Sequence, residues 1–390
     1  MKYNFDEIVN RWNTDSIKYD GPEKELNGNS FIPMWVADMD FKTPQPILDS
    51  IQERVNHGVL GYTFPSNDWS KAIINWNKSR YDWDISEEEI LFTPGIVRGI
   101  TFALRCFTKP KDRVLVMSPV YPPFFNVPTV NQREVVYNTL LIEDGQYKID
   151  FDQLDKDLQG CKMFILCNPH NPGGTVWTLE ELQQIASLCK KNNVLVVSDE
   201  IHADLTLPAY EHNTFAKVSV DAEQNSIVFM SPSKTFNMAG LGSSYAVIKN
   251  NKLRDQYREY VEALDVVSSH MFSYTPLIAA YEKCNDWLDQ ALVYIQKNID
   301  YVESFLATHT PLIKMIKPQA SFLIFLDCRK LNLSDEELKM FFEERAGLLL
   351  NPGVSFGKSG SGFMRLNIGC SKMILEKAMH QLAKAYDELA

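Results

Sequence analysis

Five segments of the chain carry polar or reactive side chains directly after short apolar runs, and a late arginine makes a sixth candidate. Thr93-Pro94-Gly95 leads into Ile96-Val97-Arg98-Gly99, a helix opening whose first backbone N–H groups favour an anion such as phosphate. Ser118-Pro119-Val120-Tyr121-Pro122-Pro123 is a stiff loop that presents an aromatic ring. Asn168-Pro169-His170-Asn171-Pro172-Gly173-Gly174 cannot continue a strand, and it holds side-chain amides at a strand mouth. Asp199 in Asp199-Glu200-Ile201-His202 ends an apolar run, where a carboxylate needs a cation or several donors. Ser231-Pro232-Ser233-Lys234-Thr235 is a hydroxyl-rich turn bearing one lysine, and Arg365 sits in the run MRLNIG. Each has an ordinary explanation alone: a helix cap, a structural ion pair, a solvated lysine. In chain order they form the set that pyridoxal 5′-phosphate (PLP) requires. That set is an amine to carry it, a carboxylate for its ring nitrogen, an aromatic face, and donors for its phosphate.

The elements that must position these residues are legible as a pattern. Ile90-Leu91-Phe92, Val114-Leu115-Val116, Met163 to Leu166, Val194 to Val197, Ile227-Val228-Phe229 and Tyr245 to Ile248 are continuous apolar runs without period-two alternation. Such runs suit strands buried on both faces of a mostly parallel sheet. Between two of them, Thr178 caps a helix running to Asn192, with Glu181 three residues on and apolar residues at helical spacing. The fold class is therefore α/β, a large domain with a central sheet flanked by helices, in which ligands bind beyond the carboxyl ends of the strands. After about residue 250 the pattern turns to long helices (253–264, 291–309), a strand at Ser321 to Asp327, a helix at Asp335 to Arg345, the strand-like FMRLNIG and a last helix from Ser371. This predicts a smaller α+β domain made of residues 1–49 and 285–390, set against a large domain at 50–284.

The chain has 390 residues, with 50 acidic and 39 basic side chains and a formal charge of −11. A length of this order favours two domains over one. Excess negative charge argues against a nucleic-acid partner, whose binding rests on clustered Lys and Arg. No apolar run approaches the length of a membrane span, and the first residues have no apolar leader core, so a cytoplasmic protein is expected. The seven cysteines are scattered without CxxC or Cys/His pairing, which predicts reduced, mostly buried thiols and no metal.

With TPG at 93–95, YPP at 121–123, NPHNPGG at 168–174, DEIH at 199–202, SPSK at 231–234 and Arg365, the sequence resembles the fold-type I, aspartate-aminotransferase-like PLP enzymes over essentially its full length. MWVADMDF at 34–41, GYT at 61–63, DEIH and SPSKTFNMAGL make it most similar to the cystathionine β-lyase, or cysteine-S-conjugate β-lyase, branch. Two positions depart from the aminotransferase pattern. Gly242 stands where an arginine usually binds phosphate, and His202 where a tyrosine usually follows the aspartate. The first departure leaves the phosphate to Ser231, Ser233, the backbone of Gly95, Ile96 and Val97, and the partner chain.

The resemblance implies a role for each matched residue. Lys234 would carry PLP and then take the substrate's α-proton, which requires surroundings that lower its ordinary pKa of about 10.4. Asp199 would pair with the ring nitrogen, Tyr121 would stack on the ring, and Asn171, with His202 nearby, would serve its phenolic oxygen. Arg365 would grip the substrate carboxylate, with Asn171 also touching the substrate, and Trp35, Val36, Ala37 and Asp38, with Ser321 and Phe322, would line the way in. A homodimer with shared active sites is implied, Tyr62 reaching the partner's phosphate. The implied reaction is α,β-elimination from L-cystathionine or a related cysteine thioether to a thiol, pyruvate and ammonia. An aminotransferase with the same lysine, aspartate and arginine, or a PLP-binding regulator without activity, stays open at this point.

Overall fold

The computed structural model describes residues 2–21, 31–266 and 270–389. Its larger sheet has seven strands: β1 Ile90–Thr93, β2 Arg113–Ser118, β3 Glu134–Thr139, β4 Cys161–Cys167, β5 Leu195–Asp199, β6 Ser226–Met230 and β7 Ser244–Val247. They lie in the order β1-β7-β6-β5-β4-β2-β3. Strands β2 to β6 are parallel, whereas β7 runs antiparallel to both β6 and β1.

The apolar runs are continuous because both faces of the sheet are covered. Val114 and Val116 pack with Ile100 and Leu104 of helix α1 (Ile96–Phe107). Leu115 and Met117, pointing the other way, pack with Leu182 and Ile185 of helix α2 (Leu179–Asn192). The expected cap is present: Glu181 N–H donates to Thr178 Oγ1 at 3.1 Å and Thr178 N–H to Glu181 Oε2 at 2.9 Å. A cap of this kind contributes about 1 kcal/mol. Helix α1 sits so close to the sheet that a Cβ at Gly99 would collide with the ring of Phe229 on β6.

All six expected strands of this sheet form, and one more was not expected. Strand β3 lies at the edge beside β2 and leaves Glu134 and Tyr137 exposed; its apolar run, Val135-Val136-Tyr137, is as short as the shortest of the others.

The second sheet is antiparallel, with β8 Lys314–Ile316, β9 Leu323–Asp327, β10 Asn351–Pro352 and β11 Phe363–Asn367 in the order β8-β9-β11-β10. Helices α3 (Asn285–His309) and α4 (Lys372–Asp387) add Ile295, Ile299, Leu375 and Met379 to its core. That core runs unbroken from Leu323 and Met364 to Phe92 and Met230 on the larger sheet. The helix expected over Asp335 to Arg345 is α-helical to Met340 and continues as a π-turn.

The N-terminal segment joins the second sheet's side. Ile32–Pro33 pairs in parallel with Leu348–Leu349, Asn367 N–H donates to the Met34 carbonyl, and the Phe5 ring packs on Trp287. The expected boundary at 284/285 coincides with the start of α3, whereas the one at 49/50 falls inside the helix Gln45–Asn56. All seven cysteines are free thiols, six of them buried. Among the described residues no helix is long and apolar enough to cross a membrane.

Candidate active site

Strand β2 has β3 on one side and β4 on the other, so the connections leaving their carboxyl ends diverge. A crevice forms at such a point. The loops after β2 and β4 are tied across it, with Tyr121 N–H donating to the Asn171 carbonyl at 3.1 Å. A cavity of about 390 Å³ opens there. The strand ends contribute Tyr121, Asn171, Asp199, His202, Ser233 and Lys234 to its wall, and the start of α1 contributes Ile96 and Val97. The opposite wall holds Trp35, Ala37 and Arg365. A larger groove of about 750 Å³ near the N-terminus, lined by Tyr3, Tyr294 and Tyr301, holds none of these groups.

Lys234 lies on a single helical turn, Pro232–Thr235, and its Nζ donates to the Ala37 carbonyl at 2.6 Å. Burial pushes its amine down to about 8, helped by Arg365 and opposed by Asp38 and Asp199. Asp199 is buried at the end of β5 and accepts the Ile201 N–H at 3.0 Å. Burial lifts its carboxyl to about 7 against the pull of Ile201 N–H and Lys234, while Glu200 adds to the rise. The two shifts make physical sense together: an amine and a carboxylic acid removed from water both resist ionisation.

Arg365 projects from β11 and is buried. It donates to Asn171 Oδ1 at 3.2 Å, the Trp35 carbonyl at 2.8 Å and Asn351 Oδ1 at 2.7 Å, and its guanidinium lies 4.9 Å from the Phe356 ring centroid. Burial lowers its pKa to about 10, which still leaves it charged at neutral pH. No carboxylate faces it among those contacts, and its Nε has no partner among the described residues. A buried guanidinium held only by neutral acceptors is prepared for an anion. His202 is also buried, with Nδ1 unpartnered among the described residues. Burial, with the cations Lys234 and Arg365 nearby, pushes its pKa down to about 3, so its ring is neutral.

The donor set fits PLP. Asp199 has one N–H donor in a buried place and suits a protonated ring nitrogen, Lys234 offers the amine, and Asn171 takes Arg365 on its oxygen, leaving its amide hydrogens for a ligand. For the phosphate, Gly95 turns the chain with a φ of +119° so that α1 starts at Ile96 against the cavity. At Gly242 the φ is +59°, a backbone that glycine adopts freely, so an arginine there would be strained.

Several expected residues do not line this wall. Gly95 lies behind it as the cap of α1, and Ser231 is buried with its Oγ 2.6 Å from the Ser243 carbonyl and 2.9 Å from Ser233 Oγ. Tyr62 is fully exposed in a separate groove with His270 and Phe272, outside the cavity. Ser321 and Phe322 are buried rather than at the entrance, because Ser321 N–H is bonded to the Leu205 carbonyl. Asp38 is turned away and engaged by Arg11. Val36, expected with its neighbours, lines the cavity, which also includes Cys167, Ile201, Ala239 and Asn351, which were not expected. Asn351 gave no signal because β10 is only two residues long.

Two carboxylates, Glu200 buried and Asp204 half-buried, brace the strand-end wall. Glu200 accepts Ser198 Oγ at 2.9 Å, Phe215 N–H at 2.9 Å and His212 Nε2 at 2.7 Å. Asp204 accepts Trp76 Nε1 at 2.9 Å, the Tyr81 hydroxyl, and Thr235 Oγ1, next to Lys234, at 2.8 Å.

Residues 32–382 match the family described as aminotransferase class I and II. The chain is 40% identical to cystathionine beta-lyase PatB of Bacillus subtilis (strain 168) over 384 residues, covering 98% of this chain and 99% of that one. Among solved structures, cystalysin from Treponema denticola, which contains a pyridoxal 5′-phosphate cofactor, superposes with a TM-score of 0.96 at 34% identity, covering 100% of both chains. The PLP-bound C-S lyase from Staphylococcus hominis superposes with a TM-score of 0.92 at 33% identity, covering 99% of each.

Proposed function

The chain belongs to the aminotransferase class I and II family, and on that premise we propose that it is a PLP-dependent carbon–sulfur β-lyase. It cleaves L-cystathionine and related cysteine thioethers to a thiol, homocysteine in the case of cystathionine, with pyruvate and ammonia. The observation that carries this reading is one cavity in which the amine of Lys234, the carboxyl of Asp199 and the guanidinium of Arg365 converge. The likeness to a cystathionine beta-lyase over nearly the whole chain supports the choice of reaction.

PLP, when bound, supplies the electron sink that makes the substrate's α-hydrogen acidic. The chain's own residues do the rest. Arg365 binds the α-carboxylate through its planar fork, already oriented by the Trp35 carbonyl and Asn351. Asp199 holds the proton on the cofactor's ring nitrogen. Lys234, with its amine brought down to about 8, is matched to removing the α-proton near neutral pH, and the ammonium so formed can return that proton to the departing sulfur. Burial keeps the Tyr121 phenol protonated, so it borders the cavity as a neutral aromatic face.

A homodimer with shared active sites belongs to the same reading. It is supported by the exposed apolar side chains of Val59, Leu60, Tyr62 and Phe64, a run that a monomer would leave in water. A cytoplasmic location is supported by the seven free thiols.

The test is incubation of the purified PLP-loaded protein with L-cystathionine and no keto acid. Stoichiometric pyruvate and homocysteine are expected. Product formation only when a keto acid is added would replace this reading with an aminotransferase, and no turnover under either condition would leave a PLP-binding protein without activity.

A further inference from the structure

Residues 34–41 cross the cavity as an irregular strap, and the strap carries the Ala37 carbonyl, to which Lys234 Nζ donates. Backbone bonds tie its ends, Met34 to Leu349 and Asn367 and Asp40 N–H to the Gly369 carbonyl, while the stretch between them belongs to no strand or helix and is held largely by side chains. Arg11 donates to both oxygens of Asp38, at 2.9 and 2.7 Å, and to Asp40 Oδ1 at 2.8 Å. Lys18, almost wholly buried, places Nζ 3.0 Å from Asp40 Oδ2 and 3.8 Å from Asp38 Oδ1. These two cations and two carboxylates balance in charge, as a cluster largely withdrawn from water must. Asn367 Nδ2 adds bonds to the Val36 and Asp38 carbonyls, and Lys18 lends its own carbonyl to Trp35 Nε1 at 3.1 Å.

We infer that Arg11 and Lys18 are positioning residues for the reaction: by pinning Asp38 and Asp40 they hold the Ala37 carbonyl where it receives the amine of Lys234. Neither cation lines the cavity. Their effect passes through the strap to the acceptor of the catalytic amine, and through the Trp35 carbonyl to the fork of Arg365. The inference rests on the reading of Lys234 as the base. A loosened strap would let this acceptor drift, and displacement of a positioning group by about 1 Å can cost on the order of 10²-fold in rate.

Arg11→Met and Arg11→Lys in the PLP-loaded protein test this by three measurements: turnover of L-cystathionine, amide hydrogen exchange, and the pH titration of the bound cofactor's absorbance. The expected result for Arg11→Met is a kcat lowered about 10- to 100-fold, faster exchange confined to residues 34–41, and a shifted absorbance titration. Arg11→Lys, which keeps the charge and loses the fork, should fall between it and the parent. If Arg11→Met does not fold, Asn367→Ala removes two strap bonds without leaving a buried charge and should show the same pattern. Unchanged kcat with faster strap exchange would overturn the inference, as would unchanged exchange. The exchange and absorbance measurements are independent of whether the enzyme eliminates or transaminates, so a failure of the lyase reading would be seen separately.

Discussion

The two walls of the cavity are built in different ways. The strand-end wall takes Tyr121, Asn171, Asp199 and Lys234 in chain order from β2, β4, β5 and the turn after β6. All four stand at or just after strand ends of a sheet buried on both faces, with Glu200 bracing the end of β5 through Ser198 and Asp204 bracing the turn of Lys234 through Thr235. The opposite wall gathers Trp35, Ala37, Asn351 and Arg365 from separate parts of the chain and is held by charged and amide side chains. One wall holds the groups that hold or move protons, Asp199 and Lys234, and the other holds those that receive and orient a substrate. Substitutions on the first should therefore act on chemistry, and those on the second on binding and placement.

The largest contrast should come from Lys234→Ala. Among the described residues its side chain bonds only to the Ala37 carbonyl, so the fold should survive while lyase activity falls by about 10⁴-fold or more. Pyruvate release measured beside the melting temperature checks both halves. Arg365→Lys, on the other wall, keeps the charge and loses the paired donors. It should lower kcat/KM by about 100-fold, mostly through KM, in line with about 2–3 kcal/mol for a charge-assisted pair. A loss expressed mainly in kcat would erase the division between the walls.

The same division decides what the sequence revealed. The strand-end wall was legible because each apolar run stops at a polar residue, and a parallel sheet aligns those stops at one edge. Strand β3 offered the run Val135-Val136-Tyr137, but no candidate site residue stands at its end to single it out. The opposite wall was legible only at Trp35, Val36, Ala37 and Arg365, and that through family motifs. Arg11 lies 27 residues from Asp38, and only the fold brings them together. Ser321 shows the converse failure. The resemblance puts it at the entrance, yet it is buried, with its N–H bonded to the Leu205 carbonyl.

The smallest effect expected is also the most specific to the strand-end wall. Asp199 has a folded-state pKa near 7, raised by burial above the unfolded value of about 3.9. The fold thus favours the uncharged acid: this contribution to stability is full below about pH 4 and is lost as pH rises through 7. In PLP-free protein at pH 8, Asp199 is a carboxylate short of partners, and Asp199→Asn removes that cost. The variant should melt about 2–5 °C above the PLP-free parent at pH 8, with the gap closing toward pH 4. It should also bind PLP more weakly, because the amide cannot hold a proton on the ring nitrogen. Thermal melts of both PLP-free proteins across this pH range, with a PLP titration at pH 8, check it. A variant less stable than its parent at pH 8 would mean that Asp199 is held by the fold for stability, and the strand-end wall would lose its distinction as a place where stability is given up for chemistry.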